Sequence, residues 1–284
     1  MEEYDLTNGV VYHGDCLEGM RKLEDGSVTL GFTSPPYFNA VNYEEHVEKL
    51  QGDKDRWERE EMSYDDYRDF LVERFEEVLR VTRPGGYTVV NISPVHWEGE
   101  RIPLPFHFVG WMEEAGWKFK EDIVWEKPVA KDRRSGVLLQ NPYPGYYYPS
   151  VVSEYIFVFQ NEADDEEKNS IYWDRSEEEK EENRINLDDY QGEKSKNVWK
   201  IRQVAPGENE HPAPFPRELA ERITEFYSYK GDTVMDVFAG SGQTLLAAQE
   251  LDREFVGFET QKEYVDYAVE RIQNENSQKT LGDI

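Results

Sequence analysis

Cysteine is almost missing from this chain. Among its 284 residues there is one, Cys16, so no internal disulfide framework can form. Five scattered histidines and a single thiol give no zinc-ligand spacing, so no metal is expected. A reducing, cytoplasmic compartment is expected. Long apolar runs are missing as well, and Met1 to Tyr12 has neither the basic nor the apolar region of a secretion signal, so no membrane association is expected. Positive charge is scarce: 32 Lys and Arg stand against 60 Asp and Glu, a formal charge of -28. Such a surface repels polyanions at ordinary ionic strength. In molar salt, self-repulsion is screened within about 3 Å while carboxylates keep the surface hydrated, so the balance points to a halophilic source. The acidic residues are spread along the whole chain, which argues against one acidic insert as their origin.

What is present is enough for a core. Apolar residues make up 38% of the chain and aromatics 14%, which excludes a disordered acidic protein. Strands are expected at Val10–His13 and Ser27–Phe32, with a short helix from about Cys16 to Leu23 between them. A helical period over Ser63–Arg80 leads through Arg83-Pro84-Gly85-Gly86 into a strand at Tyr87–Ile92. A helix near Pro105–Ala115 precedes a strand at Trp117–Trp125. After His211–Pro216 the alternation resumes: helix Arg217–Tyr227, strand Thr233–Val237, helix Thr244–Leu251, strand Phe255–Phe258 and a last helix that frays from Ser277. Strands alternating with helices predict an α/β fold, a Rossmann-like, mostly parallel, doubly wound sheet covered on both faces. Ligands in such sheets bind outside the carboxyl ends of the strands. Residues 126–207 break the alternation and are expected as an insert between a domain made of residues 1–125 and 208–284; one apolar strand, Val151–Phe159, lies inside it. Its acidic run, residues 162–193, reads as a solvated helix or a mobile segment.

Two loops carry chemistry. Asp236-Val237-Phe238-Ala239-Gly240-Ser241-Gly242-Gln243-Thr244 joins a strand to a helix, where glycines let a ligand approach the backbone and a helix amino terminus. No Gly-Lys-Ser/Thr follows, so this is not a phosphate loop, and Leu245 occupies the third glycine's place of a dinucleotide motif. The next strand ends in Glu259, placed to accept from both hydroxyls of a ribose, while Asp236 could receive an amino group. A nucleoside-like cofactor is the reading. The second loop is Thr33-Ser34-Pro35-Pro36-Tyr37, at the carboxyl end of a strand. Consecutive prolines hold a chain extended and leave carbonyls free to accept, Ser34 adds a hydroxyl, and Tyr37 offers a face for stacking a base. That set suits an exocyclic base amine, whose delocalised lone pair makes it a poor nucleophile until acceptors hold it pyramidal.

With these motifs taken together, the sequence resembles the amino-methylating DNA methyltransferases of the beta arrangement, which use S-adenosyl-L-methionine and carry the catalytic motif ahead of the cofactor motif. The marks are Gly14-Asp15-Cys16 before TSPPY, Trp125-Glu126-Lys127, Val198-Trp199-Lys200-Ile201, His211 to Pro216, DVFAGSGQT and Gly257-Phe258-Glu259. The resemblance implies a class I methyltransferase fold of permuted motif order, with residues 126–207 as an inserted target-recognition region. It implies that Asp15, Thr33, Pro214, Phe215, Pro216, Asp236, Phe238, Ala239, Gly240, Ser241, Gly242, Thr244 and Glu259 surround the cofactor. Ser34, Pro35, Pro36 and Tyr37 would orient and stack a flipped base of double-stranded DNA. Ser34 at the first motif position resembles cytosine-N4 enzymes; adenine-N6 remains the alternative, as do a silent DNA-binding protein and a methyltransferase of RNA or protein. Carbon-5 methylation needs a thiolate, and Cys16 lies in no Pro-Cys loop. A homodimer and a cognate restriction endonuclease are left open as partners. For DNA contact, Lys127, Lys131, Arg133 and Arg134 form a local basic patch beside Tyr146 and Tyr147. The alternative is a loop that packs its tyrosines on the core.

Overall fold

The computed structural model describes residues 1–38, 62–97, 100–128, 143–145, 151–163, 170–185, 192, 195–205, 207–211 and 213–282. The strands are β1 (Glu2–Leu6), β2 (Gly9–His13), β3 (Val28–Thr33), β4 (Thr82–Ile92), β5 (Val95–Trp97), β6 (Glu100–Ile102), β7 (Lys118–Glu126), β8 (Ser153–Gln160), β9 (Val198–Lys200), β10 (Thr233–Asp236) and β11 (Glu254–Glu259). The helices are α1 (Cys16–Met20), α2 (Tyr64–Val81), α3 (Leu104–Glu114), α4 (Glu177–Glu182), α5 (Arg217–Tyr227), α6 (Gln243–Glu250) and α7 (Lys262–Gly282).

Among the described residues one sheet holds nine strands in the order β1-β2-β11-β10-β3-β4-β8-β7-β9, and β5 and β6 form a separate hairpin. β2, β11, β10, β3 and β4 pair in parallel, while β1 and β8 run against the rest. The doubly wound, mostly parallel sheet expected from the sequence is therefore present. Its central strand explains why: every residue of β3 is buried, as a parallel strand covered on both faces requires. One face packs Leu219, Ala220 and Ile223 of α5, Leu245 of α6 and Val265 of α7 against Leu30, Phe32 and Val234. The other packs Met20 of α1, Leu71, Phe75 and Val78 of α2 and Phe108 of α3 against Val90, Phe157 and Phe159.

Local chemistry sets the helix boundaries. Ser63 caps α2 by accepting from the Asp66 N–H, Asp65 and Asp66 sit in its positive first turn, and Arg80 sits in its last. Ser176 and Glu179 form a capping box on α4, which buries none of its residues, as a solvated acidic helix should.

The segment 126–207 does not stand apart from the sheet: β8 lies between β4 and β7, and β9 pairs with β7 at the edge. Part of the acidic run is also fastened, since Arg83 pairs with Asp174 and Arg175 pairs with Asp232 next to β10. The turn expected at Arg83–Gly86 belongs to β4, where Gly85 adopts φ +77° and the register against β3 shifts. α7 continues to Gly282, beyond the expected fraying point.

Candidate functional site

The parallel strands deliver the motifs to one end of the sheet. β3 runs into Thr33-Ser34-Pro35-Pro36-Tyr37, β10 into the Asp236–Gly242 loop, β11 into Glu259 and β2 into Gly14-Asp15. They enclose a cavity of about 260 Å³. Among the residues expected around a cofactor, Asp15, Pro214, Phe215, Phe238, Ala239, Gly240, Ser241 and Glu259 line it. Thr33, Pro216, Asp236, Gly242 and Thr244 do not.

Asp236 lies beneath the loop. It is 1% exposed, and its Oδ1 accepts from the Thr33 hydroxyl at 2.6 Å and from the Phe238 N–H at 3.0 Å. These contacts fix the start of the glycine loop. Burial pushes the Asp236 carboxyl up to about 6, against the pull of the Thr33 hydroxyl and the Phe238 N–H. Thr244 is likewise buried and donates to the Phe32 carbonyl at 3.2 Å, and Pro216 caps α5. Gly242 caps α6 at φ +78°, and Gly240 turns at φ +49° where an added methyl would stand 3.1 Å from the His211 ring.

Glu259, at the end of β11, lines the cavity. Its Oε2 accepts from the Gly240 N–H at 2.9 Å and its Oε1 from the Gln261 N–H at 2.8 Å, so the carboxylate is aimed by two loops and each oxygen keeps accepting capacity. Burial pushes its carboxyl up against the pull of these backbone donors. Asp15 caps α1 through Leu17 N–H at 2.9 Å and pairs with Arg74. Arg74, on α2, stacks 3.7 Å over the Phe70 ring, which in turn stacks on Phe238. Phe70 and Arg74 line the cavity, and sequence reasoning passed over both. A charged residue inside the apolar stripe Leu71, Phe75, Val78 was the available signal.

Ser34 and Pro36 line the cavity; Pro35 and Tyr37 stand beside them outside the lining. Ser34 donates its hydroxyl to the Asn91 carbonyl at 3.0 Å, and the Tyr37 hydroxyl donates to Glu154 Oε2 at 3.1 Å. Asn91 Nδ2 donates to the same Glu154 oxygen at 2.6 Å, and Lys127 pairs with its other oxygen. Lys127, expected at the DNA, therefore gives its ammonium to a buried carboxylate, and it also lies 4.6 Å over the Trp125 ring. Lys131, Arg133, Arg134, Tyr146 and Tyr147 lie outside the described residues. Cys16 is 3% exposed and burial pushes its thiol up to about 12, so it stays protonated and is no nucleophile.

A family model described as DNA methylase, covering N6 and N4 methyltransferases, matches residues 28–270. The chain belongs to this DNA methylase family. Its sequence is similar to Type II methyltransferase M.Cfr9I of Citrobacter freundii, 28% identical over 310 residues that cover 97% of this chain and 91% of that protein. Its structure is similar to a protein of Thermus thermophilus described as a DNA modification methylase and solved with S-adenosyl-L-methionine. That match has 26% identity and a TM-score of 0.70, and covers 93% of each chain. The cytosine-N4-specific PvuII DNA methyltransferase shares the fold, with a TM-score of 0.68 at 21% identity over 95% of this chain and 92% of that one. As a DNA methylase, the chain has its cavity and its TSPPY loop where the topology of the fold places ligands. Among the described residues, no group of His, Cys, Asp and Glu could hold a metal ion, and no helix is long and apolar enough to cross a membrane.

Proposed function

We propose that this methylase moves a methyl group from S-adenosyl-L-methionine to the N4 amine of cytosine in double-stranded DNA, with the target base turned out of the duplex. The observation that carries the reading is Ser34. It lines the same cavity as the glycine loop while its hydroxyl proton is committed to the Asn91 carbonyl, which leaves the oxygen as an acceptor for an amine hydrogen.

The residues present fit the cofactor. Gly240 has no side chain where one would meet His211 across the cavity lining, so the loop backbone can be approached closely. Glu259 would hold the ribose hydroxyls, Asp15 the adenine side, and Pro214 and Phe215 would close the methionine end. Bound there, S-adenosyl-L-methionine supplies a methyl group on a sulfonium, ready for a nitrogen to take. The chain's own residues do the rest. Ser34 and the carbonyls freed by Pro35 and Pro36 accept from the amine and draw its lone pair out of the ring. Tyr37 stacks the base, and the apolar walls Phe238 and Phe215 keep water out. Ser34 in place of a carboxylate or amide supports cytosine. Sequence reading is assigned to residues within 126–207, and a restriction endonuclease of the same specificity is the expected partner.

The test is incubation of DNA with labelled cofactor at 0.1 M and 2 M potassium chloride, followed by nucleoside mass spectrometry. N4-methylcytosine is expected, and Ser34→Ala should lower its formation about 100-fold, as loss of an oriented hydrogen-bonding group does. N6-methyladenine as the product would move the specificity to adenine. Equal modification by wild type and Ser34→Ala would remove Ser34 from the chemistry, and DNA binding without product from either would favour a silent binder.

A further inference from the structure

Behind the catalytic loop lies a polar cluster outside the chemistry assigned so far. Glu154 stands near the start of β8, opposite Trp125 of β7, and is 7% exposed. Three groups from three other parts of the chain converge on it: the Tyr37 hydroxyl from the catalytic loop, Asn91 Nδ2 from β4 and the Lys127 ammonium from the end of β7. A buried carboxylate with this many donors is costly to desolvate and is held by them. It is a fixed acceptor.

From these contacts we propose that Glu154 is a positioning residue for methyl transfer, setting the direction of the hydrogen bonds that run through the catalytic loop. A carboxylate paired with an ammonium can only accept. The Tyr37 hydroxyl must therefore point its proton at Glu154, which holds the ring that stacks the base at a single tilt. Asn91 must face its NH2 to the carboxylate, because the reversed amide would set oxygen against oxygen. The cost is visible, since Asn91 Oδ1 is buried with no partner among the described residues. With the amide so turned, Asn91 Nδ2 also faces Ser34 Oγ at 3.5 Å, and the Ser34 proton goes to the Asn91 backbone carbonyl. Ser34 thus meets the base amine with a lone pair instead of a proton. Lys127 compensates the buried charge without touching the loop. Replacing Glu154 by a neutral amide would give Tyr37 and Asn91 a partner that can donate as well as accept, and the order would be lost.

The inference rests on TSPPY being the catalytic loop, and the experiment separates the two ideas. Purified full-length Glu154→Gln, Glu154→Asp and the doubly neutral Lys127→Gln/Glu154→Gln are compared with wild type on DNA carrying the mapped modified site. Steady-state methylation gives kcat and KM for DNA, and calorimetry gives the dissociation constant of S-adenosyl-L-methionine. Glu154 lies outside the cofactor cavity, so cofactor binding should stay within two-fold of wild type and reports an intact fold. Expected are a fall in kcat of at least ten-fold for Glu154→Gln with a smaller change in KM, a comparable fall for the double variant, and partial recovery in Glu154→Asp. Wild-type kcat in Glu154→Gln or in the double variant overturns the proposal. So does a loss of kcat that travels with an equal loss of cofactor binding in every variant, which would make Glu154 only a structural prop. If Ser34→Ala is fully active, the reading of the loop fails; if Ser34→Ala is dead while Glu154→Gln is active, only the role of Glu154 fails.

Discussion

At the scale of single residues, the site is built of carboxylates with different tasks set by their surroundings. Glu259 is aimed into the cavity, Asp15 is tethered by Arg74, and Asp236 is sealed under the loop. Asp236 has a measurable consequence. With its carboxyl held near 6 in the folded chain against a usual 3.8, the folded state keeps the proton more tightly than the unfolded one. Stability is therefore lost as pH rises through that window, by on the order of 3 kcal/mol once both states are ionised. Asp236→Asn should gain on wild type by roughly 5 °C in melting temperature between pH 4.5 and pH 7.5. A gap that stays constant with pH in thermal melts would show that Asp236 does not titrate in this way. The sequence showed Asp236, Glu259, Ser34 and Tyr37 because each stands in a motif at a strand end. It hid Asn91, Arg74 and Glu154, because their meaning depends on which strand or helix lies alongside. The one local hint was polarity inside an apolar segment, as in Ser153-Glu154-Tyr155-Ile156-Phe157-Val158-Phe159.

At the scale of elements, the helices and the parallel strands were legible from periodicity and caps, while sheet membership was not. β8 looked like part of an insert because its long flanking segments break the alternation. In space it fills the gap between β4 and β7 with Ile156, Phe157, Val158 and Phe159 buried. β1 escaped notice because Glu2-Glu3-Tyr4-Asp5-Leu6 is too acidic to read as a strand; it is an edge strand, where charge is tolerated. Contact between α1 and β11 offers a test of how elements govern the site. A methyl on Gly19 would sit 2.2 Å from Phe258 Cε1, so Gly19→Ala has to lift α1 from the sheet, an overpacking that costs about 1–3 kcal/mol. Because Asp15 caps α1 and lines the cavity, S-adenosyl-L-methionine should bind at least five-fold more weakly to Gly19→Ala, with a lower melting temperature. Unaltered affinity in calorimetry, despite the lower melting temperature, would mean that the seat of α1 does not control the cavity.

At the scale of the whole molecule, a charge of -28 and DNA as substrate have to be reconciled. Lys127, the described member of the expected basic patch, is committed to Glu154. In salt high enough to screen so acidic a surface, counterion release supplies little, and affinity would rest on stacking, base contacts and shape. DNA binding should therefore weaken only slowly with salt, with a log-log slope of magnitude below about 3, against about 0.9 per neutralised phosphate for a basic binder. Activity should persist near molar potassium chloride. A steep slope, or inactivation between low and molar salt with the fold intact by circular dichroism, would sink the salt-adapted reading.

The sheet order also bears on how the enzyme comes into being. Among the described residues, the hairpin of β1 and β2 reaches the rest of the sheet through β11, and Gly14 is tied to Glu259 by a backbone hydrogen bond. During synthesis that hairpin has no neighbouring strand to dock on until residues 254–259 have been made. A nascent or truncated chain holds Asp15 and the TSPPY loop but no closed cofactor cavity. The cavity that Asp15, Ser34 and Glu259 share thus closes only after β11 has been made, so the order of the motifs along the chain delays the site until the last strand is in place.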